Sequence, residues 1–120
     1  MTSPAVSSRD LPHPAREEIR LEGVLHALSD PVRLRIVREL ATIGEELSCS
    51  HFDLPVTKST TTHHFRVLRE SGVIRQVYRG TAKMNGLRAD DLDGLFPGLL
   101  AALLDAAGRQ ATRLGDGDIP

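Results

Sequence analysis

Residues 57–72 read Thr-Lys-Ser-Thr-Thr-Thr-His-His-Phe-Arg-Val-Leu-Arg-Glu-Ser-Gly, and this stretch decides the fold. Its first residue is a favourable helix N-cap, and its final glycine can take the left-handed conformation that ends a helix. Between them, Thr61, Phe65 and Leu68 recur at i, i+4 and i+7. This spacing predicts a helix with one narrow apolar stripe that packs on a core.

The opposite side of this helix carries Ser59, His63 and Arg66 at the same spacing. None of the three is acidic, and each can donate a hydrogen bond to a phosphate or a base edge. A helix that is anchored on one face and reaches outward with such side chains suits the DNA major groove. An ordinary amphipathic helix with a solvated polar face is the alternative, so the neighbouring sequence has to decide.

The charge distribution favours contact with phosphates in the middle of the chain. The 120 residues carry a formal net charge of −1. Residues 58–88 hold seven Lys and Arg against one acidic residue, a net +6, whereas residues 1–57 and 89–120 carry −3 and −4. A basic middle between acidic ends indicates local binding of a polyanion.

Two helices are predicted before this stretch. A first helix from about Arg16 to Ser29 follows from an i, i+3, i+4, i+7 apolar pattern at Leu21, Val24, Leu25 and Leu28. Asp30-Pro31 then supplies an N-cap acid and a proline at the first helical position, which predicts a second helix to about Thr42. Its arginines, Arg33, Arg35 and Arg38, are expected on its outside.

A short third helix over residues 48–52 and a turn over 54–56 are predicted to lead into Thr57, which completes a helix-turn-helix. After Gly72, residues 73–78 form a β-rich run, Arg79-Gly80 is a turn signal, and residues 81–84 can return as a partner strand. Such a hairpin is a wing that presents Arg79 and Lys83. A hairpin that only covers the core is the alternative.

The end of the chain predicts a dimerisation helix. A helix that starts near Ala89 is expected to break or kink at Phe96-Pro97 and to restart. Residues 99–107 are apolar on nearly every side, more than one small monomer can cover, and Gly108 is expected to end the helix. We therefore predict burial against a second chain, together with the first helix, through Leu21, Val24, Leu25, Leu99, Leu100, Leu103 and Leu104.

Length and composition indicate one small domain at residues 15–108, with a disordered tail at 1–14 and a flexible tail at 109–120. No apolar run reaches the roughly 18 residues of a membrane span, and no secretory signal is apparent. A single cysteine fits a reducing compartment. These features predict a cytoplasmic protein that does not contact membranes.

Three segments together resemble the ArsR/SmtB family of dimeric winged-helix transcriptional repressors. Residues 28–37 (LSDPVRLRIV) are similar to the family's entry into its second helix, and residues 59–74 (STTTHHFRVLRESGVI) resemble its recognition helix and exit. Tyr78-Arg79-Gly80 resembles its wing. The resemblance covers roughly residues 20–107, and its specificity lies in the combination.

The resemblance implies a sequence-specific repressor that binds an inverted-repeat operator as a homodimer and is released by an inducer. It places Ser59, Thr62 and His63 on bases, and Lys58, Arg66 and Arg79 on phosphates. His64 flanks the core stripe, where packing or a hydrogen bond is expected rather than base contact. The full predicted DNA-binding set is Lys58, Ser59, Thr60, Thr62, His63, Arg66, Arg79 and Lys83.

The inducer is not evident, because the family's metal-site patterns are missing. Serines, Ser48 and Ser50, stand where its thiolate sensors carry cysteines, and residues 89–108 contain no histidine for a zinc site. Cys49 and His51 lie about 200° apart on a helix, so they cannot hold one ion together. We predict no metal and no cofactor. Cys49 as a redox sensor, an unknown small-molecule effector and no effector at all stay open.

The sequence leaves two other function classes to compare with a DNA-binding regulator. Winged helices also serve as protein-docking modules, and the weak net charge fits that reading. A hydrolase built on Cys49 would need a histidine base and an orienting acid, and no such spacing is recognisable. We predict a mainly α winged helix-turn-helix with a small β-hairpin, which regulates transcription, dimerises through its first and last helices, and is not an enzyme.

Overall fold

This computed structural model describes residues 10–115 of the chain. They contain five α-helices and three short strands. The helices are α1 (Leu21–Leu28), α2 (Pro31–Ile43), α3 (Lys58–Glu70), α4 (Ala89–Leu95) and α5 (Leu99–Leu114). The strands are β1 (Leu47–Ser48), β2 (Ile74–Arg79) and β3 (Ala82–Leu87), and 3-10 turns lie at Arg16–Glu18 and Cys49–His51. The predicted winged helix-turn-helix architecture is confirmed.

The core is aliphatic apart from one aromatic pair. Ile36 and Leu40 of α2 and Leu68 of α3 are almost completely buried. Phe52 and Phe65 meet edge to face with their ring centroids 5.5 Å apart, which joins the turn before α3 to the helix itself. Each such side chain contributes about 1.5–3 kcal/mol through its burial, so α3 is held firmly on one face.

Both predicted N-caps of the helix-turn-helix are confirmed. Asp30 Oδ1 accepts the backbone N–H groups of Val32 (2.8 Å) and Arg33 (3.1 Å) at the start of α2. Thr57 Oγ1 accepts the N–H of Thr60 (3.3 Å) at the start of α3. These bonds satisfy amides that have no partner inside their helices, so the first turn of each helix is fixed locally.

Gly72 ends α3 and closes a tight packing site, as its position predicted. Its φ of +85° lies in the left-handed region, and a Cβ at this residue would lie 2.5 Å from Cγ1 of Ile19. Ile19 is buried there in an extended segment. The first helix therefore begins at Leu21 and not near Arg16, because Ile19 has to reach the core beside Gly72.

The segment between α2 and α3 differs from the prediction. The third helix expected at residues 48–52 is only a 3-10 turn, and it follows a strand, β1, that the sequence did not reveal. Leu47 pairs with Asn85, and Ser48 pairs with Met84, in a sheet with the order β1-β3-β2. Two residues are too few to show the alternating pattern of a strand. β1 therefore forms because its residues pair with the edge of β3, a contact that the local sequence does not reveal.

The wing hairpin is confirmed and is longer than predicted. β2 and β3 pair from Ile74↔Leu87 to Arg79↔Ala82, so the return strand runs past Met84. Gly80 makes the turn with a φ of +65°. β3 lies in the centre of the sheet and pairs with a strand on each side. This pairing extends β3 beyond the predicted return strand.

The last helix splits at Pro97 and then runs further than predicted. α4 ends at Leu95, and α5 restarts at Leu99 after Gly98, which has a φ of +82°. The prediction that Gly108 ends α5 is wrong, since the helix continues to Leu114 and Gly115 caps it. An interior glycine costs only about 1 kcal/mol, which the flanking helical residues outweigh. Residues 116–120 of the predicted flexible tail lie outside the described residues.

Residues 12–14 of the predicted disordered tail form hydrogen bonds with the rest of the domain, while residues 1–9 lie outside the described part of the chain. The side chains of Arg69 and Arg88 donate to the carbonyl oxygens of Pro12 (3.2 Å) and Pro14 (2.9 Å). The backbone N–H of Gln76 donates to His13 Nε2 (2.9 Å). Because β2 is an edge strand, this outward amide needs a partner, and the N-terminal segment supplies it.

A buried polar cluster joins the first three helices. Arg33 was expected outside α2, but it is 7% exposed. Its guanidinium donates to the carbonyl oxygens of His26 (3.3 Å) and Ala27 (2.7 Å) at the end of α1, and to Nδ1 of His64 on α3 (3.1 Å). One side chain thus binds two carbonyl oxygens in the last turn of α1 and fixes the rotation of α3.

The same cluster determines the protonation of His64. Arginine can only donate, so Nδ1 of His64 has to accept, and its proton sits on Nε2. Burial lowers the pKa of His64, as do Arg33 and His63, although the carboxylate of Asp30 raises it in part. Asp30 Oδ1 lies 3.9 Å from Nδ1. That contact is therefore not an ion pair near neutral pH.

Stability is expected to fall as the pH drops through about 6.5. The unfolded chain binds a proton on His64 near this ordinary pKa, but the folded chain binds it only at lower pH. The contribution of His64 to the free energy of unfolding is therefore fully present above pH 6.5 and is lost as the pH falls. The loss is about 1.4 kcal/mol for each unit by which folding lowers the pKa. Urea unfolding at several pH values measures the loss.

The control is His64→Asn, which cannot titrate. Burial is the main cause that also lowers the pKa of His13. Both the wild-type chain and the variant should therefore lose stability as the pH falls, and the variant should lose less. Equal losses in the two proteins, or a wild-type chain that gains stability towards acid, would contradict the assigned protonation state.

No helix among residues 10–115 is long and apolar enough to cross a membrane.

Candidate nucleic-acid interface

The outer face of α3 is the most exposed polar face of the helix-turn-helix. Ser59, His63 and Arg66, which the sequence predicted on one side, are all exposed, while Phe65 and Leu68 are buried. Lys58 and Thr62 are exposed as well, and Thr60 is half-buried. Five of the six predicted α3 contacts are thus open to a partner. Their role in DNA binding stays a prediction.

Two hydroxyl groups in the first turns of α3 already donate within the protein. Thr62 Oγ1 donates to the carbonyl oxygen of Lys58 (3.0 Å). Thr57 Oγ1 donates to Thr60 Oγ1 (2.9 Å) and lies 3.3 Å from Ser59 Oγ. Ser59 and Thr62 keep lone pairs, so without rotating they can accept from the exocyclic amines of adenine or cytosine.

His63 and Arg66 form one adaptable unit. Arg66 Nη2 lies 3.4 Å from His63 Nδ1, a long contact between two exposed side chains. Arginine is the donor here too, so His63 accepts through Nδ1. The contact is weak enough for either side chain to turn towards a phosphate or a base edge.

A buried network of amides connects α3 to the wing. Arg69 Nη1 donates to Oε1 of Gln76 (2.6 Å), and Gln76 Nε2 donates to Oδ1 of Asn85 (2.8 Å). Asn85 Nδ2 in turn donates to the carbonyl oxygen of Leu47 (3.1 Å). Gln76 and Asn85 are at most 2% exposed. The network fixes the wing relative to the helix, because each buried amide would be costly to leave unpaired.

Cys49 belongs to this network. Its sulfur lies 3.3 Å from Asn85 Nδ2 and 3.9 Å from Gln76 Nε2, both of which donate to it. Among residues 10–115 its hydrogen-bond partners are these amides, so a histidine base for the hydrolase reading does not contact it. A redox role for Cys49 stays open.

The wing arginine is held by a partner that the sequence did not reveal. Arg79 donates through Nε (2.7 Å) and Nη2 (2.9 Å) to the two carboxylate oxygens of Glu46. This bidentate bond lowers the pKa of Glu46. The Arg79 side chain is nevertheless 63% exposed, so a phosphate can reach it. Glu46 precedes β1 and is distant in sequence, and no local pattern pairs the two residues.

Lys83, the other predicted wing contact, is half-buried. Its Nζ lies 5.7 Å from the centroid of the Tyr78 ring, within reach of a cation–π interaction. Both wing cations therefore have intramolecular partners on the protein surface, whereas Lys58 and Arg66 on α3 form no ion pair with a described carboxylate.

The predicted dimerisation residues divide into two groups. Leu21 and Leu25 are both 43% exposed and lie one turn apart on α1, and Leu99, Leu103 and Leu104 are half-buried on α5. Val24 (1% exposed) and Leu100 (6%) lie in the chain's own core, so their assignment to a dimer interface is corrected. Leu114, outside the predicted set because the helix was expected to end at Gly108, is 61% exposed.

No group of three or more His, Cys, Asp and Glu side chains within residues 10–115 comes together to hold a metal ion. The metal prediction itself stays untested.

Comparisons with known proteins agree on the fold and the class of protein. A helix-turn-helix domain family model matches residues 28–77. YceK of Bacillus subtilis (strain 168), described as an uncharacterized HTH-type transcriptional regulator, is 36% identical over 89 residues, which cover 72% of this chain and 88% of that protein.

Three solved structures are also similar. The transcriptional repressor BigR from Xylella fastidiosa is 26% identical with a TM-score of 0.51, over 63% of this chain and 85% of that chain. An ArsR-like transcriptional regulator from Rhodococcus sp. RHA1 is 24% identical with a TM-score of 0.56, over 82% and 92%. An ArsR family transcriptional regulator at 18% identity, also with a TM-score of 0.56, covers 81% and 97%. The last two are similar in fold.

The N-cap, recognition-helix and wing motifs of the sequence thus occur on a winged-helix fold. The same chain is similar in sequence to a transcriptional regulator. The protein belongs to the helix-turn-helix transcriptional regulators, and its fold is that of ArsR-type winged-helix proteins.

Proposed function

We propose that this regulator is a cytoplasmic repressor without enzymatic activity, which binds an inverted-repeat DNA operator as a homodimer. The observation that carries the proposal is the outer face of α3, where Lys58, Ser59, Thr62, His63 and Arg66 are exposed together while the opposite face is locked into the core. The similarity to a structure described as a transcriptional repressor supports the repressor role.

In this proposal α3 lies in the major groove. Its 13 residues span about 20 Å, enough to follow a groove about 12 Å wide with its N-terminal half against base edges. Ser59, Thr62 and His63 read bases, and Lys58 and Arg66 bind the flanking phosphates. Thr60 supports the first turn through its bond to Thr57.

The wing adds contacts beside the major groove. Arg79 and Lys83 lie at or after the β2–β3 turn, in the hairpin that the Arg69–Gln76–Asn85 network holds against α3. From there they can bind the phosphate backbone. Both have to exchange an intramolecular partner for a phosphate, so the wing strengthens binding less than its charge suggests.

The homodimer places two copies of α3 about 34–36 Å apart, one turn of B-DNA. The exposed leucines of α1 and the leucines of α5 supply an apolar surface for the second chain. Release by a small-molecule effector is part of the proposal, with its identity open. A protein-docking module remains the alternative, favoured by the formal net charge of −1.

Arg66→Ala is expected to weaken binding to duplex DNA from upstream of the protein's own coding region by about tenfold to a hundredfold, since a charge-assisted hydrogen bond contributes about 1.5–3 kcal/mol. The slope of log affinity against log salt should fall in magnitude by about one, because one fewer counterion is released. Fluorescence anisotropy at several salt concentrations, against a scrambled duplex, measures both.

The matched control is Arg109→Ala, which removes an exposed arginine from α5. It should leave affinity and salt slope unchanged, and urea unfolding checks that both variants are folded. Loss of affinity in both variants, or in neither, contradicts the assigned face. Failure of the wild-type chain to bind either duplex at low salt favours the docking module.

Glu46→Gln is expected to tighten DNA binding, by up to about fivefold, because exposed ion pairs contribute at most about 1 kcal/mol. The reason is that Arg79 then reaches a phosphate without first leaving a carboxylate. Removal of a negative charge near DNA also tightens binding by itself. The same substitution in an Arg79→Ala background measures that general effect.

A smaller gain in the Arg79→Ala background supports the competition between Glu46 and the phosphate. Equal gains in both backgrounds would show that the ion pair does not restrain Arg79.

Leu25→Asp is expected to turn a dimer into a monomer, because it places a carboxylate in the apolar surface on α1. Light scattering after size-exclusion chromatography measures the mass. The matched control, Ile43→Asp, alters a residue of similar exposure (41%) at the end of α2 and should leave the dimer intact. A wild-type chain that is monomeric at tens of micromolar would contradict the dimer.

A further inference from the structure

A groove of about 610 Å³ lies between the Cys49–His51 turn, the N-terminal half of α3 and the start of β3. Phe52, Leu54, Val56 and Phe65 give it an apolar wall. Its volume is within the roughly 300–1,000 Å³ of sites that bind small molecules. The groove opens onto the surface that carries the proposed DNA contacts, but it extends beneath that surface.

The rim of the groove is basic. Lys58, Arg66 and Lys83 line it, and Asp53 is the one acidic residue that does so among the described residues. None of the three cations forms an ion pair with a carboxylate within residues 10–115. Arg69 also lines the groove, but it is bound to Gln76 and Pro12. The accessible charge of the rim is therefore positive, and a ligand competes there only with the weak contacts of Arg66 with His63 and of Lys83 with the Tyr78 ring among those described.

DNA complements only part of this groove. Phosphates and base edges suit the cations of the rim, but they offer no apolar surface to the wall of leucine, valine and phenylalanine side chains. A duplex is also too wide to enter a cleft of this volume. The wall suits a hydrocarbon or aromatic body that loses water on entering, and the rim suits one anionic group attached to it.

We propose that this groove binds a small amphipathic anion, with its carboxylate, sulfonate or phosphate head between Lys58, Arg66 and Lys83 and its apolar body against Val56 and Phe65. The site itself does not depend on the proposed function. Its consequence does: because Lys58 and Arg66 are also proposed phosphate contacts, the anion and DNA exclude one another, and the groove is an inducer site.

The test uses 8-anilinonaphthalene-1-sulfonate, an aromatic anion that fluoresces when it leaves water, with the full-length chain. Saturable 1:1 binding is expected. Val56→Asp places a carboxylate on the wall, and Lys58→Gln removes a charge from the exposed rim without touching the core. Each should weaken binding, Val56→Asp by about tenfold or more. Ile43→Asp, outside the groove, should leave binding unchanged.

Binding that is absent, or that Val56→Asp and Lys58→Gln leave unchanged, overturns the site. So does equal loss with Ile43→Asp, since the dye would then report another apolar surface. Lys58→Gln keeps the test valid if the wall variant fails to fold.

A second arm adds duplex DNA from upstream of the coding region. Displacement of the dye by DNA, and of DNA by the dye, supports the inducer role. Simultaneous binding at unchanged affinities overturns that role. If the dye binds in the groove and no DNA binds at low salt, the anion site is supported and the proposed function fails. Failure of the anion site can therefore be told apart from failure of the proposed function.

Discussion

The Arg33 guanidinium is the interaction on which the orientation of α3 depends. It joins the last carbonyl groups of α1 to His64, which sits beside the outward-facing His63. Asp30 caps α2 in the same place. Rotation of α3 by one residue would break the bond to His64 and also expose Phe65. The polar cluster and the apolar stripe therefore enforce the same rotation, which turns Ser59, His63 and Arg66 to solvent.

The wing is positioned by a second polar connection. Arg69 leaves the buried face of α3, binds Gln76 on β2 and Pro12 of the N-terminal segment, and through Gln76 reaches Asn85 on β3. The segment at residues 12–14 covers the edge that β2 would otherwise expose. Helix and wing therefore form one rigid surface, on which the Glu46–Arg79 ion pair is the adjustable part.

Local signals were sufficient for the two N-caps, the turn at Gly72, the wing and the exposed face of α3, because each depends on a few neighbouring residues. The sequence failed where distant residues decide. Arg33 and Gln76 are polar residues that only their partners allow to be buried. Val24 and Leu100 are as apolar as Leu21 and Leu25. Only the packing of the helices decides that the first two lie in the core and the other two on the surface. β1 and the Glu46–Arg79 pair likewise depend on contacts between distant segments.

In the proposed function, α3 and the wing turn form the DNA-binding surface. The most direct measurement is a ¹H–¹⁵N correlation spectrum of the 120-residue chain, titrated with duplex from upstream of its coding region. The largest shifts are expected at residues 58–66 and 79–83, with smaller shifts at the residues of the Arg69–Gln76–Asn85 network. Shifts concentrated in α1 and α5, with residues 58–66 and 79–83 unmoved, would contradict this DNA-binding surface.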